Sequence, residues 1–522
     1  MTLDDTQRLP VAFSDDFQHN APSLLPSSQH KQQQCQQEQR LLILPQVTTG
    51  INLNNVKLEI IPHQDQTDNA KEKPSIFPQL AGAVTAALVQ LGLGAVMAIA
   101  GVTIPQLTDE NSEDIILSTH QVSLYASLVG LGAMAGCIFS SVIQAKLGQR
   151  RTILGFLPAT LATWLLMSFT QSVELLLLAR FLQGFFIGAL CAAAYTYAME
   201  ISHKSYRGGL VSTVDIVRQA GMLLAYCLGN LSLTWREMSL ICGCLSTILP
   251  FIFLLFLPDS PRYLAFRKET DKARKSLQIF RGKNFNVEPE LQDILGQLKN
   301  VGSKGTVKDQ VYQIMKPENL KIFIILFFVC FIAQFTGNFV VVNFTVNIFQ
   351  AANLNIDPYI CSIIIGALRV LGTVVYLCII DRLGRKVVFI TSFLVLAISS
   401  GIFGVYFFLQ QQGTDISNLG WLPLMCLIIF SLFSCIGHPV IPIMIGELLP
   451  TSIRSLGFNL LVATIFLGIF VVSQTYPPMA LSMGVHGTFW LYSCSCIVVV
   501  SIIAIFVPET KGKSLEEIEL KT

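Results

Sequence analysis

Twelve apolar runs, each about 20 residues or longer and each bounded by polar residues, constrain this chain more than anything else in it. A run of that length crosses the hydrocarbon core of a bilayer as a helix. The runs lie at roughly 79–103, 121–144, 152–171, 174–199, 209–232, 236–257, 322–349, 356–380, 387–409, 421–446, 455–479 and 484–507. Only 13% of residues are charged, against about 25% in a soluble domain. The expected fold class is therefore an all-α membrane protein of twelve spanning helices. The net charge of +2 says little, because in such a protein sidedness matters and totals do not.

The spans divide six and six. A charged stretch, 259–321, separates bundles at 76–258 and 322–508, and its segments Asp271–Phe280 and Glu288–Leu298 have the spacing of short amphipathic helices. Residues 1–75 are polar and contain a Gln-rich tract at 30–37, so they read as a disordered arm without a cleavable signal sequence. Residues 509–522 form a short charged tail. Lys146, Arg150, Arg151, Lys204, Arg207, Arg382, Arg385, Lys386 and Arg454 all fall on one side, with the linker and both termini. Asp109, Glu110, Asp114, Asp357 and Asp415 fall on the other, where Arg236 is the main exception. The bias of cations in short loops makes the first side cytoplasmic.

The halves also repeat. Asp381-Arg382-Leu383-Gly384-Arg385-Lys386 interrupts two apolar runs and predicts a tight turn between spans 8 and 9. A partial copy, Lys146-Leu147-Gly148-Gln149-Arg150-Arg151, separates spans 2 and 3, with Ala145 and Gln149 where the second copy has Asp381 and Arg385. Glu200 and Arg207 recur 247 residues later as Glu447 and Arg454. Pro258-Asp259-Ser260-Pro261-Arg262 recurs 250 residues later as Pro508-Glu509-Thr510-Lys511-Gly512. Parallel halves of this kind belong to transporters whose site lies between two bundles.

These motifs, together with Arg180-Phe181-Leu182-Gln183-Gly184 and Gln334-Phe335-Thr336-Gly337, resemble the sugar porter family of the major facilitator superfamily from about Gln79 to Glu519. Phe344–Phe349 and His486–Trp490 look most like its insect facilitated trehalose transporter branch. The resemblance implies alternating access. It also implies a gate of ion pairs between the bundles on the cytoplasmic side, to which Arg150, Arg151, Glu200, Arg207, Asp259, Arg262, Asp381, Arg382, Arg385, Glu447, Arg454 and Glu509 would contribute. Exposed pairs, worth about 0–1 kcal/mol each, suit a gate that must open.

A sugar site needs neutral donors and acceptors and aromatic faces. Gln334 keeps the family's span-7 glutamine, and Asn338 stands one residue before the second polar position, which Phe339 fills. Asn343 and Asn347 add amides at a spacing that shares one helix face. Other positions depart from the family. Asp215 replaces a glutamine, Arg369 an asparagine, Pro442 (with His438 nearby) a tryptophan, and Phe466 a tryptophan. Two readings of the charges stand side by side. In one they neutralise each other, Asp215 pairing with Arg218 on its own helix or with Arg369 across the cavity. In the other Arg369 binds an anionic or strongly polar solute.

Proton symporters of the family carry an acid in span 1, and this span 1 has none. Facilitative uniport of a sugar-like solute is the expectation, with Asp215 as the alternative proton carrier. A non-transporting sensor is the rival reading. No nucleotide loop or metal-ligand cluster is present, which argues against an enzyme, a cofactor or a nucleic-acid partner. Most of the thirteen cysteines lie in apolar runs as small apolar residues. The expected setting is the plasma membrane, with a monomer as the transport unit.

Overall fold

The computed structural model describes residues 74–509 apart from Glu113, 302–306, 354–355, Ile416 and 451–452. The 1–75 arm, save its last two residues, and the tail from 510 lie outside the described residues. Every regular element among the described residues is helical. Among them, eleven helices are long and apolar enough to cross a bilayer. The last, Arg454–Phe506, has 53 residues, far beyond the ~20 that one crossing needs, and Gly484 (φ 75°, ψ 166°) divides it into two. The crossings are therefore twelve.

Spans 1–6 are Phe77–Leu107, Thr119–Leu147, Gln149–Phe169, Val173–Ile201, Arg207–Gly229 and Trp235–Phe256. Spans 8 and 9 are Pro358–Leu383 and Arg385–Gln411. Spans 7 and 10 are interrupted, where the sequence reading has single helices. Span 7 runs as Pro317–Ile332, a 3-10 turn Ala333–Thr336, then Asn338–Asn343 and Thr345–Ala351. Gly337 (φ 83°) and Phe344 (φ −126°, ψ 23°) make its breaks. Span 10 is Leu422–Gly437 and Val440–Leu448, parted at His438–Pro439. Proline lacks the N–H that a continuous helix needs there.

The two repeated loops are each a single glycine. Gly148 ends span 2 and begins span 3, and Gly384 does the same for spans 8 and 9, at φ 80° and 93°. Only glycine takes that conformation cheaply. Space also demands it, since a Cβ at Gly148 would lie 2.7 Å from the Tyr263 ring and one at Gly384 3.0 Å from Glu509 Oε2. Small residues likewise let spans 2 and 4 touch backbone to backbone: a Cβ at Gly136 would fall 1.9 Å from Phe185 O.

Four further helices, Pro261–Phe266, Thr270–Arg281, Glu288–Val301 and Val307–Ile314, fill the linker. The first three share a small core of Leu264, Ala273, Leu277 and Leu291. Arg281, 1% exposed, fixes this lobe to the first bundle. It donates twice to Glu290 (2.7 and 2.9 Å) and once to Ile201 O at the end of span 4 (2.7 Å).

At the opposite end Arg236 closes the first bundle. Its guanidinium meets Asp114 at 2.6 and 2.8 Å, donates to Ser168 O and Thr170 O at the end of span 3, and lies over the Trp235 ring. The cation that breaks the loop-charge pattern is thus neutralised locally. Arg236 also holds the Asp114 carboxyl below the usual carboxylate range.

Candidate functional site between the bundles

Spans 5, 7, 8 and 10 bring their polar residues together at mid-length. Arg369, in the middle of span 8 and 3% exposed, donates from Nη1 to Asn338 Oδ1 (2.9 Å) and from Nε to Gln219 Oε1 (3.4 Å). Asn338 Oδ1 also accepts from Ser434 Oγ (2.6 Å). Ser434 reaches the His438 ring (3.3 Å), whose far nitrogen lies 3.2 Å from Thr336 Oγ1. Local chain breaks position these groups. Gly337 starts the helix on which Asn338 is the first residue, and the break after Gly437 leaves His438 beside Ser434. A cation at this depth costs at least ~2.5–3.5 kcal/mol on insertion scales. Its partners here are neutral amides.

Asp215 is elsewhere on span 5. It pairs with Arg218 (2.9 Å) and accepts a short hydrogen bond from the Tyr195 hydroxyl of span 4. Of the two partners weighed from sequence for Asp215, Arg218 is therefore the one observed. Among the described residues no carboxylate lies within ion-pair distance of Arg369.

Of the remaining expected contacts, Gln334 is buried in the 3-10 turn. Its Nε2 bonds Cys330 O, and its Oε1 has no partner. Asn343 donates to Ser473 Oγ of the eleventh span (3.2 Å), whereas Asn347 Oδ1 is buried without a partner. These two asparagines do not share a continuous helix face, because the break at Phe344 separates them. Phe466 sits at the seam with span 2, where its carbonyl approaches Gly130. Gln219, Ser434 and Thr336 were not singled out from sequence. Gln219 lies one turn after Asp215 and Ser434 one turn before His438, which is the signal that marks them.

The motif end carries two separate clasps. In the first half Arg150 and Arg151 meet Asp259 (3.4 and 3.3 Å), Gln149 donates to Glu200 (3.1 Å), and Ser260 donates a short hydrogen bond to Glu200. In the second half Arg385 meets Glu447 (3.2 Å), and Glu509 accepts the backbone N–H of Arg385 and of Lys386 at the start of span 9. A carboxylate is favoured there by the helix N-terminus. Arg207 and Arg262 are exposed and form no ion pair with a described residue, and Arg382 is exposed. The side chains of Asp381 and Arg454 lie outside the described residues.

Hydrogen bonds between the bundles have a different distribution. Among the described residues, besides Arg369–Gln219, they are Gln219 to Cys435 Sγ (3.5 Å), Tyr226 to Val342 O and Thr345 (3.1 Å each), and Ser127 to Gln474 (2.6 Å). All lie from mid-span towards the end opposite the motifs.

Two bundles that meet around a polar centre, with a repeated charged clasp at one end, define a membrane carrier of the major facilitator type. A family model described as sugar (and other) transporter matches residues 65–521, and the chain belongs to that family. It is 33% identical over 447 residues to the facilitated trehalose transporter Tret1-2 homolog of Drosophila sechellia, covering 85% of this chain and 91% of that one. It is 32% identical to the facilitated trehalose transporter Tret1 of Culex quinquefasciatus, covering 85% and 86%. The proton:xylose symporter XylE bound to 6-bromo-6-deoxy-D-glucose superposes with a TM-score of 0.69 at 22% identity, over 85% of this chain and 98% of that one. XylE from E. coli in a partially occluded inward-open conformation gives 0.70 at 21%, over 84% and 99%. These structural likenesses bear on the fold. The protein is thus an integral, multi-pass membrane protein of the sugar (and other) transporter family, with the major facilitator fold, and not an enzyme.

Proposed function

We propose that the protein is a facilitative uniporter working by alternating access, with both termini and the linker lobe in the cytoplasm. The observation that carries this is the asymmetry of the seam. Among the described residues the hydrogen bonds between the bundles run from mid-span to the end opposite the motifs, and the described clasp pairs at the motif end join residues of one half. That is the arrangement of a carrier closed outside and open inside, and rocking would exchange the two sets of contacts.

Uniport is supported by how the mid-span charges are used. Arg180 of span 4 is fully buried and bonds the carbonyls of Tyr125 and Val96 and the Gln183 amide. No acid of span 1 faces it, because span 1 has none. Asp215 is occupied within the first bundle by Arg218 and the Tyr195 hydroxyl. The unpartnered acceptors of Gln334 and Asn347 suit solute hydroxyls. The substrate class follows the relatives: a sugar, trehalose among the candidates. The plasma membrane is the proposed site, with one chain as the transport unit.

Purified protein in proteoliposomes tests this. Radiolabelled trehalose and glucose should equilibrate down their gradients. An imposed pH gradient should drive no accumulation; accumulation above equilibrium would replace uniport with proton coupling. Absence of flux for any solute would refute the carrier reading.

A further inference from the structure

We infer that the Arg369 site takes a solute bearing a carboxylate, a polyhydroxylated monoacid of the sugar-acid type; this rests on the carrier reading above. Four charged residues lie away from the ends of the spans: Arg180, Arg218, Arg369 and Asp215. The single acid is paired with Arg218. Arg180 is enclosed within the first bundle by carbonyls. The centre between the bundles is left with one whole positive charge, at Arg369.

The hydrogen-bond pattern around that charge leaves room for an anion. A guanidinium offers five donors in a planar fork. Nη1 is used well, by Asn338 at 2.9 Å. Nε is used weakly, by Gln219 at 3.4 Å. Nη2 makes no bond to a described residue. The Nε–Nη2 edge is the edge that a carboxylate grips with two parallel bonds. An arriving carboxylate would displace the long bond from Gln219 and keep the short one from Asn338. The hydroxyl and ring groups of Ser434, Thr336 and His438 stand beside it for the neutral remainder of the solute.

The displaced bond matters because Gln219 belongs to the first bundle and Arg369 to the second. Replacing it with bonds to the solute removes one of the five hydrogen bonds that join the bundles among the described residues. The anion would thus loosen the seam at its own level. Arg369 is a specificity residue on this reading, and a neutral sugar leaves its charge unanswered.

The experiment uses full-length protein with D-glucuronate and D-glucose as probes. Equilibrium binding in detergent and initial uptake into proteoliposomes are both measured, with and without a potassium–valinomycin potential. A net anion carried alone should enter faster when the interior is positive, and glucose should not respond. Wild type should bind glucuronate about tenfold or more tightly than glucose, the worth of a bidentate charge-assisted pair. Arg369→Gln should lower that ratio about tenfold, and Arg369→Lys should restore only part of it. Equal binding of the two probes, exclusion of glucuronate, or an unchanged ratio in Arg369→Gln would overturn the inference. Should Arg369→Gln fail to fold, the wild-type preference and its response to potential decide alone. Glucose flux without glucuronate binding would sink this inference and spare the carrier. Glucuronate binding without flux of either probe would do the reverse.

Discussion

Gln149 donates to Glu200 at 3.1 Å in the first half of the molecule, in the place where Arg385 meets Glu447 at 3.2 Å in the second. The repeat has kept the contact and changed its chemistry. At this position the first clasp has a neutral donor on a carboxylate and the second has an ion pair.

That asymmetry predicts unequal mutants. A hydrogen bond to a charged group is worth roughly 1.5–3 kcal/mol; both contacts have that, and only Arg385–Glu447 adds the attraction of a second charge. Both members of the Arg385–Glu447 pair are about a quarter exposed or less, so screening lowers its value towards ~1 kcal/mol. Arg385→Gln should therefore slow initial sugar uptake roughly fivefold. Gln149→Arg, which rebuilds symmetry, should change uptake less than about twofold. Equal effects in a proteoliposome assay would show that the two clasps carry the same load.

The linker lobe supplies a stability test. Arg281 is buried, and Glu290 is its only carboxylate partner among the described ion pairs. Removing one partner of a buried pair costs about 3–5 kcal/mol, and the 20% exposure of Glu290 places the expected loss near ~3. Glu290→Gln should lower the thermal midpoint of the purified protein by several degrees. Arg281→Met in the same background should recover part of it, since no unpaired charge is then left. A midpoint unmoved by Glu290→Gln would mean that the Ile201 carbonyl alone satisfies the guanidinium.

Much of this architecture is legible before any coordinates. Hydropathy marks the spans because length and apolarity are the physical requirements of crossing. Gly148 and Gly384 mark the tight turns because the apolar runs on both sides leave no room for a longer loop. Arg218 as partner of Asp215 follows from helical spacing. The breaks at Gly337, Phe344 and His438 are not legible, since an apolar run reads alike whether its helix is continuous or parted. Nor is the choice of Asn338 and Gln219 for Arg369. Those residues sit on other helices, and spacing along the chain carries no information about which helices face each other. The same limit hides the division of the clasps between halves.

The Asp114–Arg236 contact makes stability depend on acid. Asp114 titrates below the usual carboxylate range because Arg236 binds its ionised form. A group with a depressed folded-state pKa stabilises at pH values above its unfolded pKa, near 3.8. That contribution fades as pH falls through the folded value. With Asp114 35% exposed, it is worth no more than ~1 kcal/mol. Asp114→Asn should lower the thermal midpoint by a few degrees at pH 7, and the gap to wild type should close below about pH 4. A gap independent of pH would assign the effect to packing around Trp235.

The closed seam itself can be strained by one side chain. Gly101 of span 1 faces span 7 so closely that a Cβ there would lie 2.5 Å from Val342 O, the carbonyl that also accepts from Tyr226. No rotamer relieves a clash of Cβ with backbone, so the bundles must part to admit it. Gly101→Val should disfavour the state described here and shift the population towards the one open on the opposite side. Each ~1.4 kcal/mol of strain changes that ratio tenfold. The shift is readable with Gln474→Cys, which lies on the closed seam opposite Ser127. In the Gly101→Val background a membrane-impermeant maleimide added outside should label that cysteine several-fold faster, and net sugar flux should fall. Unchanged labelling with full flux would mean that the seam near Gly101 does not open during transport, and the gate would have to lie elsewhere along spans 1 and 7.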